Sequence, residues 1–407
     1  MAPDRYPLLG DPAACEEISN AVWVPACGQG GAKIEPLKTP KLVALNLPQF
    51  HPIPENDEWW GKGFTEWTNV VKARPLFEGH YQPHLPADLG FYDLRLPEVR
   101  EAQAALAREY GISGFCYYHY WFNGRRLLER PVNEIVASGK PDFPFCLCWA
   151  NENWTRTWDG LDQKILMEQV YSEQDDFEHI RSLLPVFKDE RYIKIDGKPL
   201  FLVYRANSLP SPLNTTNAWR RAAEQAGFRG LYMVRVQSNA EECGDPTEIG
   251  FDAALEFQPR WRLLDGLRIF RQKWWQRQTL GTGELGFANQ RVCKYDDLVS
   301  RALAMELPSY PFIRCVCPGW DNTPRRKSGG LVLKDSTPES YERWLAAVVE
   351  QTLAQSEEQS GGRGLVFINA WNEWAEGNHL EPCQKWGRAY LEATKRVLNE
   401  TQTAVSG

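Results

Sequence analysis

The sequence predicts an α/β protein, a (β/α)8 TIM barrel with long βα-loop insertions. Three observations carry this. Eight short apolar or β-branched runs recur along the chain, amphipathic helical patterns separate most of them, and each run ends in polar residues. Strands that alternate with helices call for a parallel sheet, and eight such units over 407 residues fit a closed barrel better than an open one. No Gly-x-Gly-x-x-Gly follows the first run, which counts against a dinucleotide-binding fold.

In chain order, residues 1–40 are rich in Pro, Gly and Ala without a period and read as an arm or cap. The barrel then occupies 41–400, with 401–407 as a tail. Its predicted strands are Leu42–Phe50, Ile112–Phe122, Phe143–Glu152, Pro199–Arg205, Leu231–Ser238, Ala253–Pro259, Phe312–Asn322 and Gly364–Trp374. Apolar residues at three- and four-residue steps predict helices over Pro97–Tyr110, Leu128–Ser138, Asp175–Lys188, Thr216–Ala226, Tyr295–Glu306, Pro338–Gln355 and Gln384–Leu398. The fifth crossover, Ala240–Phe251, is short and weakly patterned. Two insertions exceed the usual two to six residues of a βα loop, at about 51–96 and at about 260–291. The second combines arginines with Trp261, Trp274 and Trp275. It fits a lid, a glycan rim, a peripheral membrane-surface helix and a plain rim-packed helix.

Composition narrows the function. A hydrophobic fraction of 43% and a charged fraction of 24% are those of an ordinary globule with a sizeable core. The net charge of −7 argues against nucleic acid as a partner. No run of about twenty apolar residues predicts an integral membrane span. The N-terminus lacks the basic-then-apolar pattern of a secretory leader, so the expected location is cytoplasmic. The ten cysteines form neither a zinc spacing nor a disulfide framework, and Cys146/Cys148 and Cys315/Cys317 read as small core residues. The 17 Trp, 15 Tyr and 18 Phe are the unusual feature, because many of the tryptophans stand beside Asn, Glu, Asp or Gly rather than inside apolar runs. Sugar faces stack on such rings, while the indole N–H keeps a hydrogen-bonding handle.

In a barrel the working groups gather at the C-terminal ends of the strands. There the sequence places Gln49 and His51, His119 and Tyr120, Asn151 and Glu152, Arg205, Gln237, Glu256 and Gln258, Asp321 and Asn322, and finally Asn372, Glu373 and Glu376. Trp60, Trp67, Trp320, Trp371 and Trp374 stand near them and are the candidate sugar platforms. Glycoside chemistry needs one carboxyl group to protonate the leaving oxygen and a second to act as nucleophile or base. Glu373 and Glu376, three apart in Asn369-Ala-Trp-Asn-Glu-Trp-Ala-Glu-Gly377, supply such a pair, and mutual repulsion would raise one pKa as an acid requires. Two acids opening a helix and held by its macrodipole would look the same in sequence. His51 and His119 read equally well as structural residues and as substrate ligands.

Other chemistries find less support. The six histidines lack His-Glu-x-x-His or an equivalent spacing, so no metal and no cofactor is expected. Gly-x-Ser-x-Gly is absent, and no Asp-x-Asp or Gly-rich cradle for a nucleotide diphosphate is evident, although the insertion at about 260–291 could hold phosphate. The partner expected is an oligosaccharide or polysaccharide substrate. A glycosyltransferase and a non-catalytic glycan-binding barrel remain as alternatives.

Five motifs carry a resemblance: Asn46-Leu-Pro-Gln-Phe-His-Pro52, Trp59-Trp-Gly-Lys-Gly-Phe-Thr-Glu-Trp-Thr-Asn69, Gly114-Phe-Cys-Tyr-Tyr-His-Tyr-Trp-Phe122, Trp149-Ala-Asn-Glu-Asn-Trp-Thr155 and Trp371-Asn-Glu-Trp-Ala-Glu-Gly377. Over roughly residues 40–400 the chain resembles the WbsX-type proteins, often labelled glycosyltransferases of polysaccharide gene clusters and related to glycoside hydrolase family 99, the endo-α-mannosidases. The resemblance implies a metal-independent (β/α)8 barrel that retains anomeric configuration. It also implies that Glu373 acts as a base on a sugar 2-hydroxyl, giving a 1,2-anhydro intermediate, and that Glu376 is the general acid/base.

Overall fold

The computed structural model describes residues 39–156, 161–264, 290–326, 329–358 and 364–406. Most of the predicted arm and most of the 260–291 insertion lie outside these residues. Eight parallel strands close into a barrel: β1 Lys41–Asn46, β2 Ile112–Phe122, β3 Phe145–Trp149, β4 Lys198–Val203, β5 Tyr232–Gln237, β6 Ala253–Glu256, β7 Phe312–Val316 and β8 Leu365–Ile368. Each pairs with its sequence neighbour, and β1 pairs with both β2 and β8, so no sheet edge is left. Nearly every strand residue is buried, because side chains fill the barrel on one face and meet helices on the other.

The crossover helices are α1 Pro97–Glu109, α2 Arg130–Ser138, α3 Glu173–Phe187, α4 Pro212–Gln225, α5 Tyr295–Leu303, α6 Pro338–Glu358 and α7 Ala389–Ser406. Their ends follow local chemistry. Ser172 caps α3 by accepting from the Asp175 N–H, and Glu173, Asp175 and Asp176 place negative charge in its first turn. Gly139 ends α2 in the left-handed conformation that a side chain disfavours. The weak fifth crossover contains only the 3-10 turn Pro246–Ile249. The stretch read as a tail continues α7 to Ser406.

All eight predicted strands exist, but several are shorter than predicted. β7 stops at Val316, and the polar residues beyond it belong to the βα loop. That placement fits the architecture, since loop backbone outside the strand ends is what builds the working face. The 51–96 insertion carries two short helices, Pro54–Trp60 and Glu66–Lys72. The loop after β3 contains strands Trp154–Arg156 and Leu161–Met167, paired antiparallel. The described cysteines are all free, and Cys146, Cys148, Cys315 and Cys317 are buried as the sequence suggested.

Candidate active site

After β8 the chain makes a tight ladder, Asn372–Glu373 against Asn378–His379, closed by the 3-10 turn Trp374–Glu376. Three features fix this turn. The Asn372 amide accepts from the Leu47 N–H (2.7 Å) and donates to the Leu47 carbonyl (3.0 Å), tying it to the end of β1. The Trp374 indole is buried, stacks on His379 at 3.8 Å and donates to Glu381 (2.6 Å). Gly377 takes a positive φ of 55° to turn the chain back. In a 3-10 turn residues three apart share a face, so Glu373 and Glu376 both reach one cavity. The acids belong to an isolated three-residue turn, which removes the helix-macrodipole reading.

Arg325, from the loop after β7, joins three carboxylates. Its Nε lies 2.7 Å from Glu66, one terminal nitrogen 2.8 Å from Glu373 and the other 2.8 Å from Glu376. Glu66 is fully buried and enters from the first turn of the helix Glu66–Lys72. Burial pushes the Glu373 carboxyl up to about 8; Arg325 opposes the rise, and Glu376 and Glu66 add to it. Burial also raises Glu376, again against Arg325. Burial thus favours a proton on the Glu373–Glu376 pair at neutral pH, with Arg325 opposing it. The remaining charge of the trio stays close to Arg325.

The cavity has a volume of about 410 Å³, within the range of small-ligand sites. Trp59, Trp60, Tyr120 and Trp154 form one aromatic wall, with Trp154 meeting Trp59 at 5.8 Å and Tyr120 at 5.1 Å, both edge-on. Trp320 lines the opposite loop. Arg205 pairs with Glu152 (2.6 Å) and lies 4.8 Å over the Tyr204 ring. Of the strand-end residues and tryptophan platforms named from sequence, Gln49, Trp60, Tyr120, Glu152, Arg205, Trp320, Asn322, Glu373 and Glu376 line this one cavity.

The others are corrected by their surroundings. Glu256 is buried in an ion pair with Arg314 (2.7 Å), whose guanidinium also meets Gln351 of α6 and the Ala302 carbonyl of α5, so the pair lies between sheet and helices rather than in the cavity. His119 pairs with His179 (2.9 Å), and burial keeps both imidazoles neutral at ordinary pH. His51 donates from Nδ1 to the Pro48 carbonyl, and burial lowers it to about 4. Asn151 brackets the Arg205 backbone, accepting from its N–H (2.7 Å) and donating to its carbonyl (2.9 Å). Trp67 is buried against Phe50 and donates to the Tyr92 carbonyl. Trp371 is buried against Phe115, while Asn372 and Trp374 brace the turn from behind. Asp321 accepts from His80 (2.6 Å) and Gln82 (2.7 Å) and lines a different cavity. Sequence reasoning missed Glu66 and Arg325. Glu66 sat inside a quoted motif, but Arg325 lies well beyond the end of β7 and had no positional signal.

Among the described residues no group of three or more His, Cys, Asp or Glu is placed to hold a metal ion. None of the described helices is long and apolar enough to cross a membrane. A closed parallel barrel with paired glutamates in an aromatic cavity defines the class by fold: a (β/α)8 barrel with a candidate site at its loop face. The chain belongs to the WbsX family, whose model, described as glycosyltransferase WbsX, matches residues 42–394. Proteins called WxcX from two strains of Xanthomonas campestris pv. campestris are 44% identical over 357 residues, covering 88% of this chain and 49% of theirs. The chain thus spans about half the length of the curated relatives it matches. Among solved structures, a family 99 endo-α-mannosidase from Bacteroides thetaiotaomicron superposes with a TM-score of 0.54 at 15% identity, covering 90% of this chain and 98% of that one. A glycoside hydrolase-like protein gives a TM-score of 0.52 at 14% identity, over 91% of this chain and 97% of its own. At these identities the likeness is one of fold.

Proposed function

We propose that the chain is a retaining glycoside hydrolase or transglycosylase that acts on an α-linked glycan, a mannoside-like or bacterial surface polysaccharide. The observation that carries this reading is the glutamate pair spanned by Arg325 inside an aromatic cavity, with burial raising both carboxyls. The pair supplies the two carboxyl groups that glycoside chemistry needs. In the reaction the base takes the proton of the sugar 2-hydroxyl as its oxygen attacks C1. The acid protonates the departing glycosidic oxygen as the C1–O bond breaks. Water, giving a proton to the former acid, then attacks C1 and opens the 1,2-anhydro ring as the former base returns its proton to the 2-oxygen, with overall retention.

The resemblance assigns the base to Glu373 and the acid to Glu376, while burial raises Glu373 to about 8. The base role therefore requires Glu373 to release its proton when sugar enters. Glu373→Gln and Glu376→Gln should each fold and each lose turnover of a cleaved oligosaccharide by several orders of magnitude. A glycosyl fluoride, whose leaving group needs no protonation, should rescue only the variant that lacks the acid. Wild-type turnover in both variants refutes the reading.

The family's description favours a second reading, a glycosyltransferase in surface-polysaccharide assembly. Calorimetry with nucleotide sugars separates the two, since micromolar binding would support transfer.

A further inference from the structure

A second cavity, of about 120 Å³, lies behind Trp320, which lines both cavities. The loop between them is bonded to the catalytic turn, Asp321 N–H donating to the Glu376 carbonyl at 2.6 Å. Lys334 and Lys385 bring two ammonium groups to this cavity, and Ser336 and Tyr390 bring hydroxyls 3.0 Å apart. Lys385 is held 4.6 Å from the Tyr81 ring and 4.7 Å from the Trp386 ring, which fixes its position without neutralising it. No carboxylate among the described residues pairs with it. Lys334 has only Asp335, at 3.8 Å and well exposed, an ion pair of small worth. Asp321, the other acid of the lining, already accepts from His80, Gln82 and Thr323. The lining thus sets two lysines against two aspartates, and Lys385 is the cation that no carboxylate among the described residues pairs with.

A hydrogen-bond chain sets the remaining polar group. His379 Nδ1 must donate to the Glu381 carbonyl (2.9 Å), so its Nε2 accepts from His84 Nδ1 (3.0 Å). That leaves the His84 Nε2 lone pair as an acceptor, and burial, which lowers His84 to about 4, keeps the ring neutral. Ammonium groups that favour a carboxylate, beside an imidazole that favours a hydroxyl donor, match the two kinds of polar group on an acidic sugar.

We propose that this cavity is a second glycan subsite, taking a uronic acid residue of the polymer whose neighbouring segment occupies the catalytic cavity. Lys334 and Lys385 hold the carboxylate, His84 Nε2 accepts from a ring hydroxyl, and Trp320 separates the two sugars. The inference rests on the glycan reading above, but its test needs no turnover.

Calorimetry on the full chain would use sodium glucuronate, glucose and inorganic phosphate as probes. Glucuronate should bind at least about tenfold more tightly than glucose at about 50 mM salt and lose most of that margin at about 500 mM. Lys334→Gln/Lys385→Gln, two partly or fully exposed positions, should melt like the parent and lose the preference. His84→Phe should weaken glucuronate and leave phosphate unchanged. Equal binding of glucuronate and glucose, or a preference that survives in the double lysine variant, overturns the proposal. Phosphate binding as tight as glucuronate would make this a simple anion site and overturn it as well. Repeating the measurement with Glu373→Gln/Glu376→Gln separates the two readings: retained glucuronate preference supports the subsite whatever becomes of the catalytic assignment.

Discussion

Glu373 titrates near 4.5 as a free side chain and near 8 in the folded protein, because burial beside Glu376 and Glu66 outweighs the help of Arg325. Between those values the native state keeps a proton that the unfolded chain has released. The corresponding stability is fully present below about 4.5 and is lost as pH rises through about 8. At about 1.4 kcal/mol for each pH unit separating the two values, the loss reaches at most about 5 kcal/mol. Gln cannot ionise, and its side-chain oxygen can still accept from Arg325. Glu373→Gln should therefore become more stable than wild type as the solution becomes alkaline. For 407 residues the unfolding entropy makes 1 kcal/mol worth roughly 1 °C, so the melting-temperature gap should widen by up to about 6 °C from about pH 5 to about pH 9. Calorimetric melts of both proteins at matched salt give the two curves. Parallel curves, or a gap that narrows towards alkaline pH, would refute the electrostatic account of the site.

Arg325→Met removes the cation shared by Glu66, Glu373 and Glu376. Urea unfolding at about pH 7 should show a loss of about 3–5 kcal/mol, smaller at about pH 5 where protonation relieves the carboxylates; a loss independent of pH would contradict this. Glu256→Gln leaves Arg314 buried without its counter-charge and should cost about 3 kcal/mol with glycan affinity unchanged. Weaker glycan binding at unchanged stability would instead return Glu256 to the site.

The barrel was legible because its signal is periodic. Buried strands read as apolar runs, and crossover helices show their apolar stripe at three- and four-residue steps, so all eight strands were found. The glutamate pair was legible only as a candidate, since two acids opening a helix would have looked the same, and the isolated 3-10 turn decided between them. What failed was direction. A polar residue at a strand end can face the mouth, as Gln49 does, or the surrounding helices, as Glu256 does, and the choice depends on a partner as distant as Arg314. His119 is similar, settled by His179 from α3. Arg325 was invisible because its meaning comes wholly from the three acids it meets, two of them on another loop. Loop geometry has no period from which to read it.

Gly377 marks the place where the loop after β7 and the turn after β8 touch through their backbones. A Cβ there would sit 2.9 Å from the Asp321 Cβ and 3.2 Å from the Asp321 nitrogen, and one on Gly319 would come within 3.1 Å of the Gly377 oxygen. Neither position has room for a side chain unless the loops part. The loop that bears Arg325 and the turn that bears both glutamates are thus registered to each other like two halves of a mould. Variation in glycan preference is expected to collect at the rims, at residues such as Lys334, Lys385 and Trp60, while this seam stays as it is. A glycine-to-alanine change at the seam would act without lining the cavity and still misalign Glu373 and Glu376.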